Sequence, residues 1–384
     1  MLFSKKGRLS SLKNLSLLAV FCLLAPQAIA QDKIKIGVVQ PLTGGIGTYG
    51  QENYNAMKMA LEKINQKGVK GKKIELIVED DKSDQIEATN AMRKLINVDK
   101  VVTIIGEVTS SNSLAMAPIA QEAKIPMVSS AATNEKVTQI GNFISRTCFT
   151  DDFQGVVMAR FAFNNLKKKN AVVIIDNSSD YSKGLAKAFN DEWKKLGGKY
   201  ASTEEFSYVQ KDIDFNTLLR KVKRANPDVI FLPGYYEEVG LILKQAKKLG
   251  INSPFLGGDG WDSPKLFEIA GPEGSKGNYI SSHFAPDDSD PAVQAFVKDY
   301  EKRYKVRPGA MAALGYDVLG VVADAMARAK SLTPADINAA ITTTKGYKGV
   351  TGAITIDEKR NSKKSAVVLM TTENTFKFKE KVNP

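Results

Sequence analysis

Short apolar runs alternate with longer segments of helical periodicity along most of the chain. The runs are rich in Val and Ile and lack the alternation of a half-exposed strand, as is typical of parallel strands that are covered on both faces. They read KIKIGVVQ, KIELIVED, VVTIIG, IPMVSS, AVVIID, DVIFLPG and PFLGGD. The pattern therefore predicts an α/β fold with parallel sheets.

The segments between these runs repeat apolar residues every three or four positions. Tyr54, Met57, Leu61 and Ile64 form one such face, and Gly68 follows it. A glycine after the last apolar position is a common helix stop. The same pattern recurs at Leu185, Ala188, Phe189 and Trp193 before Gly197, and at Leu241, Ala246 and Leu249 before Gly250.

The strand–helix alternation falls into two cycles. The first runs from residue 34 to about 146 and the second from residue 171 to about 259, with RTCFTDDFQG between them as a crossing. Two further helices are predicted at 291–304 and 308–330, and the C-terminal segment predicts a strand pair or meander. We therefore predict two similar lobes, with the C-terminal part able to return to either.

The N-terminus predicts a secretory signal peptide over residues 1–30. Lys and Arg residues without any acid precede an apolar stretch at 15–25, and an A-x-A sequence ends at Ala30. A retained anchor is the alternative interpretation. Cleavage after Ala30 would leave 354 of the 384 residues, lower the formal net charge from +12 to +8, and export the product to the periplasm.

Composition removes several classes of function. Basic and acidic residues are interspersed, as in LEKINQKGVKGKKIELIVEDDK, without a basic helix face or an aromatic platform for nucleic acid. Cys148 stands alone once the signal peptide is removed, and His283 is the only histidine. A zinc site of Cys and His ligands is therefore excluded, and a Ser-His-Asp triad would need His283 as its base. We expect His283 to lie in the core or at the surface.

A glycine motif between the first strand and its helix suggests a nucleotide enzyme. Residues 45–50, GIGTYG, fit the G-x-G-x-x-G dinucleotide fingerprint letter for letter. However, Pro41 to Gly44 lengthen the loop, and Asp80 lies about thirty residues beyond Gly50 rather than about twenty. We expect the glycines to form a flexible turn that carries Tyr49 into a cleft.

Small hydroxyl residues follow two successive strands, directly before a helix. The turns read EVTSSNSLAMAPIAQEA and AATNEKVTQI. Such residues cap a helix by accepting hydrogen bonds from the free backbone N–H groups of its first turn. The same N–H groups can instead hold an anion. Ligands of open parallel sheets bind beyond the carboxyl ends of the strands. The turns therefore predict either plain caps or a cradle for a carboxylate or phosphate.

The second cycle offers complementary groups at its own strand ends. Tyr181, Tyr235 and Trp261 present apolar faces, and Asp259 ends the strand SPFLGGD. An acid facing a cleft would hold an ammonium group through a charge-assisted bond. The alternative is that Asp259 only stabilises the turn GGDGWDSP.

The chain resembles the branched-chain amino acid-binding proteins, the type I periplasmic substrate-binding proteins of ABC transporters, over essentially all of its mature length. The motifs that carry the resemblance are IKIGVVQPLTGGIGTYGQE, GVKGKKIELIVEDDKSD, GEVTSSNSLAMAPIAQEAKIPMVSSAAT, DYSKGLAKAF and PDVIFLPGYYEEVGLILKQAKKLG. The resemblance implies two Rossmann-like α/β lobes with parallel sheets, joined by three hinge crossings and closing on a ligand. The implied crossings are 147–152, 282–286 and 347–352; lobe 1 is 31–149 plus 285–348, and lobe 2 is 150–284 plus 349–384.

The resemblance also implies ligand contacts. Ser110 matches the carboxylate-binding serine, Thr133 and Ala131 match a threonine and a carbonyl that bind the ligand ends, and Asp259 matches the acid that faces the ammonium. Tyr49 matches an aromatic wall, and Tyr181 and Tyr235 match closing residues of the second lobe. The full set of expected contacts is Tyr49, Ser110, Ser111, Ala131, Ala132, Thr133, Tyr181, Tyr235, Asp259 and Trp261.

The chain departs from the family pattern at three places. The acid of the leucine-type proteins is commonly Glu, whereas Asp259 is one methylene shorter. Their disulfide positions correspond to Ser83 and Thr109 here, and Glu107 adds a charge next to the cradle. Glu107 would either tune selectivity away from aliphatic side chains or point to solvent.

The function implied by the resemblance is that of an extracytoplasmic receptor. It would capture a free amino acid, branched-chain or otherwise neutral and aliphatic, and deliver it to an ABC permease in the inner membrane. We expect a monomer without enzymatic activity, cofactor, metal or nucleic-acid partner. The alternative is a receptor of the same fold for amides, urea or aromatic acids, which would feed transport or signalling.

Overall fold

The first apolar run forms an almost fully buried strand, β1 (Ile34–Gln40), in the computed structural model, which describes residues 33–384. The predicted signal peptide, residues 1–30, lies outside the described residues. The first cycle continues with α1 (Gly47–Lys67), β2 (Ile74–Asp80), α2 (Gln85–Lys94), β3 (Thr103–Ile105), α3 (Ser110–Ala123), β4 (Met127–Ser129), α4 (Lys136–Gln139) and β5 (Ile144–Arg146). These strands form one parallel sheet in the order β2-β1-β3-β4-β5.

The second cycle builds a separate sheet. Its elements are α5 (Asp151–Arg160), β6 (Asn170–Asp176), α6 (Asp180–Lys195), β7 (Lys199–Tyr200), β8 (Phe206–Tyr208), α7 (Asn216–Ala225), β9 (Val229–Phe231), α8 (Tyr236–Lys248), β10 (Phe255–Gly257), α9 (Pro264–Ser275) and β11 (Tyr279–Ser282). Within this cycle the strands pair in parallel, in the order β11-β10-β9-β6-β7, with β8 also pairing with β6. Each cycle therefore has its own sheet.

The C-terminal part serves both halves. Its elements are α10 (Pro291–Tyr304), α11 (Ala310–Arg328), α12 (Pro334–Thr342), β12 (Tyr347–Gly349), β13 (Gly352–Ile356), β14 (Ser362–Lys363), β15 (Ala366–Thr371) and β16 (Phe376–Val382). Val318 and Val322 of α11 pack with Ile36 of the first sheet. In contrast, β15 and β16 extend the second sheet as an antiparallel edge beyond β11.

Every predicted strand is present, and the glycine stops hold. Gly68 follows the last residue of α1 with φ 75°, a left-handed conformation that favours glycine. The short elements α12, β5, β7 and β8 were not predicted, because segments of this length carry little periodicity.

The lobe boundaries stay a prediction. The packing of Ile356 with the first core favours placing residues 349–363 with lobe 1 and the third crossing just after β14.

Among residues 33–384, only α11 is long and apolar enough to cross a membrane by length and composition. Most of this helix, 78% of the apolar stretch, is buried inside the protein. Its apolar character is therefore explained by packing against α1 in the core of the first half.

Candidate ligand-binding site

A small cavity lies where the strand ends of the two sheets face each other. Tyr49, Val108, Ser110, Ala131, Thr133 and Met311 line it from the first half and the C-terminal part. Tyr181, Tyr235, Asp259 and Gly260 line it from the second half. Most of the residues predicted from the sequence are thus brought to one place.

The first hydroxyl turn meets the cavity at the N-terminus of α3. Thr109 is the residue before the helix, but its hydroxyl donates to the Glu107 carboxyl instead of capping the helix. The positive end of the α3 dipole therefore faces the cavity next to the Ser110 hydroxyl. Ser110 Oγ also accepts a hydrogen bond of 3.2 Å from the Asn134 backbone N–H, which joins the two turns.

The second turn, Ala131 to Thr133, is held in place by a buried arginine that sequence reasoning missed. Arg146 donates from its two terminal nitrogens to the carbonyl oxygens of Ala132 and Asn134, at 2.6 Å each. The Asp151 backbone N–H donates to the Thr133 carbonyl at 2.9 Å. These bonds fix the turn that presents Thr133 to the cavity.

Asp259 forms the acidic side of the cavity and is held by two neighbours. Gln154 Nε2 donates to Asp259 Oδ1 at 3.0 Å, and His283 Nε2 lies 2.9 Å from Asp259 Oδ2. The same Gln154 nitrogen donates to Asp151 Oδ1 at 3.0 Å. Burial, and then the charge of Asp259, raise the pKa of the Asp151 carboxyl well above its usual range. His283 is buried, which is one of the two positions that the sequence analysis expected for it. Its contact with Asp259 was not predicted.

Three tyrosines form the aromatic side of the cavity. The rings of Tyr181 and Tyr235 are stacked at 5.2 Å, and Tyr49 meets Tyr235 edge-on at 6.1 Å. The Tyr181 hydroxyl accepts from the Gly260 N–H at 3.0 Å, and the Tyr49 hydroxyl donates to the Gly260 carbonyl. A Cβ at Gly260 would come within 2.6 Å of the Gly234 carbonyl oxygen, so this close approach requires glycine.

Several hydrogen bonds join the two halves across the cleft. Tyr236 donates to the Gly45 carbonyl at 3.0 Å, and Asn134 Nδ2 donates to the Asp180 carbonyl at 2.7 Å. Ser111 Oγ donates to Asp180 Oδ2 at 2.9 Å. Together with the bond from Tyr49 to Gly260, they hold the cleft in a closed conformation.

Three predicted contact residues lie outside the cavity lining. Ser111 bonds Asp180 across the cleft, and the Ala132 carbonyl accepts from Arg146. Trp261 is fully buried, and its indole N–H donates to the Leu232 carbonyl at 2.9 Å. Conversely, Val108, Gly260 and Met311 line the cavity without having been predicted.

Glu107 is buried directly beside the cavity, which excludes the solvent-pointing alternative. Its carboxyl accepts from the Thr109 N–H at 2.6 Å and from the Thr109 hydroxyl. Burial, and then nearby Asp81, raise the pKa of Glu107 well above its usual range. Burial also raises the pKa of Asp81 to about 7. The folded protein therefore keeps the Glu107 proton to higher pH than the unfolded chain does.

We expect Glu107→Gln to raise the midpoint of thermal unfolding at pH 8. The rise at pH 8 should exceed the rise at pH 5 by about 2–4 °C. Above the usual Glu pKa of about 4.3 the unfolded chain loses this proton, whereas the folded chain keeps it to higher pH, so Glu107 lowers stability as pH rises through this range. Gln can accept the same bonds from Thr109. Thermal unfolding at both pH values measures the difference, with exposed Glu122→Gln as the control. Equal shifts at the two pH values would contradict the prediction.

Two α/β halves that close on a small polar cavity define a two-lobed ligand-binding protein. The comparison with known families agrees: the chain belongs to the periplasmic binding protein family, whose model matches residues 33–377. The predictions of the family and of the two-lobed α/β fold are thereby confirmed.

Several of the similar proteins are amino acid-binding proteins. A leucine-, isoleucine-, valine-, threonine- and alanine-binding protein of Pseudomonas aeruginosa is 30% identical, over 94% of this chain and 95% of its own length. The structure of a leucine-binding protein from Thermotoga maritima is 41% identical with a TM-score of 0.88, covering 91% of this chain and 99% of that chain. The structure of a branched-chain amino acid transporter substrate-binding protein of Streptococcus pneumoniae was solved in complex with isoleucine. That protein is 32% identical, with a TM-score of 0.87, and the match covers 92% of this chain and 100% of that chain.

Proposed function

We propose that this protein captures a free amino acid, branched-chain or otherwise neutral and aliphatic, between its two lobes and delivers it to an ABC permease in the inner membrane. The observation that carries the proposal is the cavity itself. It places the N-terminus of α3 and two hydroxyls opposite the carboxylate of Asp259. A small zwitterion has the matching pair of charges.

Each end of such a ligand finds partners of the appropriate charge. The ligand carboxylate would lie at the N-terminus of α3, with the hydroxyls of Ser110 and Thr133 as donors. The ligand ammonium would lie at Asp259. Between the two ends, Tyr49, Val108 and Met311 offer apolar surface, which suits an aliphatic side chain.

The role needs binding and closure, without covalent chemistry. Contacts from both lobes stabilise the closed form, because a ligand shifts a conformational equilibrium only through its different affinity for the two states. We infer a monomeric periplasmic receptor without enzymatic activity. The amino acids named for the relatives support the ligand class.

Calorimetry on protein that has been unfolded and refolded to remove carried-over ligand tests the proposal. We expect L-leucine, L-isoleucine or L-valine to bind tightly enough to saturate at about 100 μM. Leucinamide and N-acetyl-leucine, which each lack one charge, should bind far more weakly. Binding of benzoate, urea or acetamide in the absence of any amino acid binding would favour the alternative receptor function and contradict the proposal.

A further inference from the structure

The only histidine of the chain lies directly behind the acid that faces the cavity. His283 Nε2 is 2.9 Å from Asp259 Oδ2, and both side chains are almost completely buried. The imidazole ring stacks on Phe149, with the ring centroids 3.6 Å apart and the planes inclined by 24°. His283 does not line the cavity, so it acts on a ligand only through Asp259.

The hydrogen bonding identifies the form of the imidazole in this structure. A carboxylate accepts hydrogen bonds, so Nε2 carries the proton and donates it to Asp259. Within the described part of the chain, Nδ1 has no hydrogen-bond partner. Burial lowers the pKa of His283, although the bond to Asp259 opposes this effect. The ring is therefore neutral at pH 7.

The groups around His283 determine what its protonation would do. The titratable and charged groups on the segments around His283 are Asp259, Asp262, Asp151, Cys148, Arg146 and Lys364. Asp259 is the group within hydrogen-bond distance, and Lys364 repels a second positive charge. An imidazolium would therefore neutralise the Asp259 carboxylate at close range.

Building on the proposed function, we propose that His283 is a positioning residue that holds Asp259 toward the ligand ammonium group and makes amino acid affinity fall as the pH is lowered. The neutral ring orients the carboxylate and leaves its charge for the ligand. The protonated ring competes with the ligand ammonium for the same carboxylate.

The sign of the effect follows from linkage. A bound ammonium beside Asp259 makes a second cation there less favourable, so the ligand lowers the pKa of His283 further. Affinity is then constant at pH values where the ring is neutral in both states. It falls with decreasing pH where the free protein takes up a proton that the complex does not.

Calorimetry with L-leucine between pH 7.5 and pH 5.0 tests the proposal in wild-type protein, His283→Gln and His283→Leu. The amide nitrogen of Gln reproduces the Nε2 donor without titrating. We expect His283→Gln to keep wild-type affinity at pH 7.5 within about threefold and His283→Leu to lose about tenfold. Wild-type affinity should fall by about threefold or more at pH 5.0, relative to His283→Gln.

Ser282→Ala is the matched control, because it removes a buried hydrogen bond at the neighbouring position, to Asp262 rather than Asp259. It should retain the wild-type pH profile. Titration of Asp151 or Asp262 is common to the wild type and His283→Gln, so the difference between their two pH profiles reports on the histidine.

NMR of the wild-type protein keeps the proposal testable if a variant fails to fold. Tag-free protein has a single histidine and gives one imidazole Cε1–Hε1 signal. Saturating L-leucine should move the midpoint of its titration to lower pH. An unchanged midpoint, or identical pH profiles in wild-type protein and His283→Gln, would overturn the role of His283 while leaving amino acid binding in place. Failure of every amino acid to bind wild-type protein would instead overturn the proposed function and, with it, this inference.

Discussion

Asp259→Asn is expected to weaken L-leucine binding by about a hundredfold or more without a loss of thermal stability. Asp259 is almost fully buried and is the carboxylate that lines the cavity. Without it, the ligand ammonium would enter a closed site with no counter-charge, and breaking one partner of a buried ion pair costs about 3–5 kcal/mol. The amide of Asn is nearly the same size, and its nitrogen can donate to His283 Nε2 once the neutral ring carries its proton on Nδ1, so no buried donor faces another.

Calorimetry and thermal unfolding of the same preparation separate affinity from stability in this variant. Asp262→Asn is the matched control: Asp262 is buried three residues further on and accepts from the Ser282 hydroxyl at 2.6 Å, outside the cavity lining. It should bind L-leucine within about threefold of wild type. Comparable losses in both variants would mean that Asp259 supports the fold rather than the ligand.

Ser110→Ala combined with Thr133→Ala should also weaken L-leucine binding by about a hundredfold. The two hydroxyls line the cavity on the side of the α3 N-terminus. Each hydrogen bond to a charged group contributes about 1.5–3 kcal/mol, so the loss of two corresponds to at least this factor. The backbone N–H groups remain, and we therefore expect residual binding at high ligand concentration.

The control for this pair removes two buried hydroxyls, one from α3 and one from α4, that do not line the cavity. Ser113 on α3 donates to the Glu107 carbonyl at 3.0 Å, and Thr138 on α4 donates to Asn361 Oδ1 at 2.9 Å. Ser113→Ala with Thr138→Ala should keep L-leucine affinity within about threefold, measured by calorimetry alongside the cavity pair. Retention of wild-type affinity in the cavity pair itself would show that the carboxylate cradle lies elsewhere.

The GIGTYG turn matches the dinucleotide-binding fingerprint in sequence but has a different role in this fold. Gly50 packs so closely on the Pro41 carbonyl that a side chain would collide with it, and the Gly45 carbonyl accepts from Tyr236. Tyr49, the residue inside the motif, reaches across the cleft to Gly260. The glycines therefore shape a closing loop, and the spacing argument against a dinucleotide site agrees with this geometry.

Much of the site was accessible from sequence because its geometry follows from local rules. Parallel strands of one sheet end at the same edge, so hydroxyl residues after two successive strands must lie close together. Ser110 and Thr133 meet at the cavity for this reason. Asp259 follows from the same rule applied to the second sheet.

The sequence by itself determined the alternation of strands and helices, the two cycles and the hydroxyl turns, because each depends on periodicity or turn chemistry within a few residues. Only the tertiary structure decided that Met311 lines the cavity, that Trp261 is core, and that His283 lies behind Asp259. These contacts join elements distant along the chain. They depend on how the sheets and helices pack and on how the lobes close, and no local pattern carries that information.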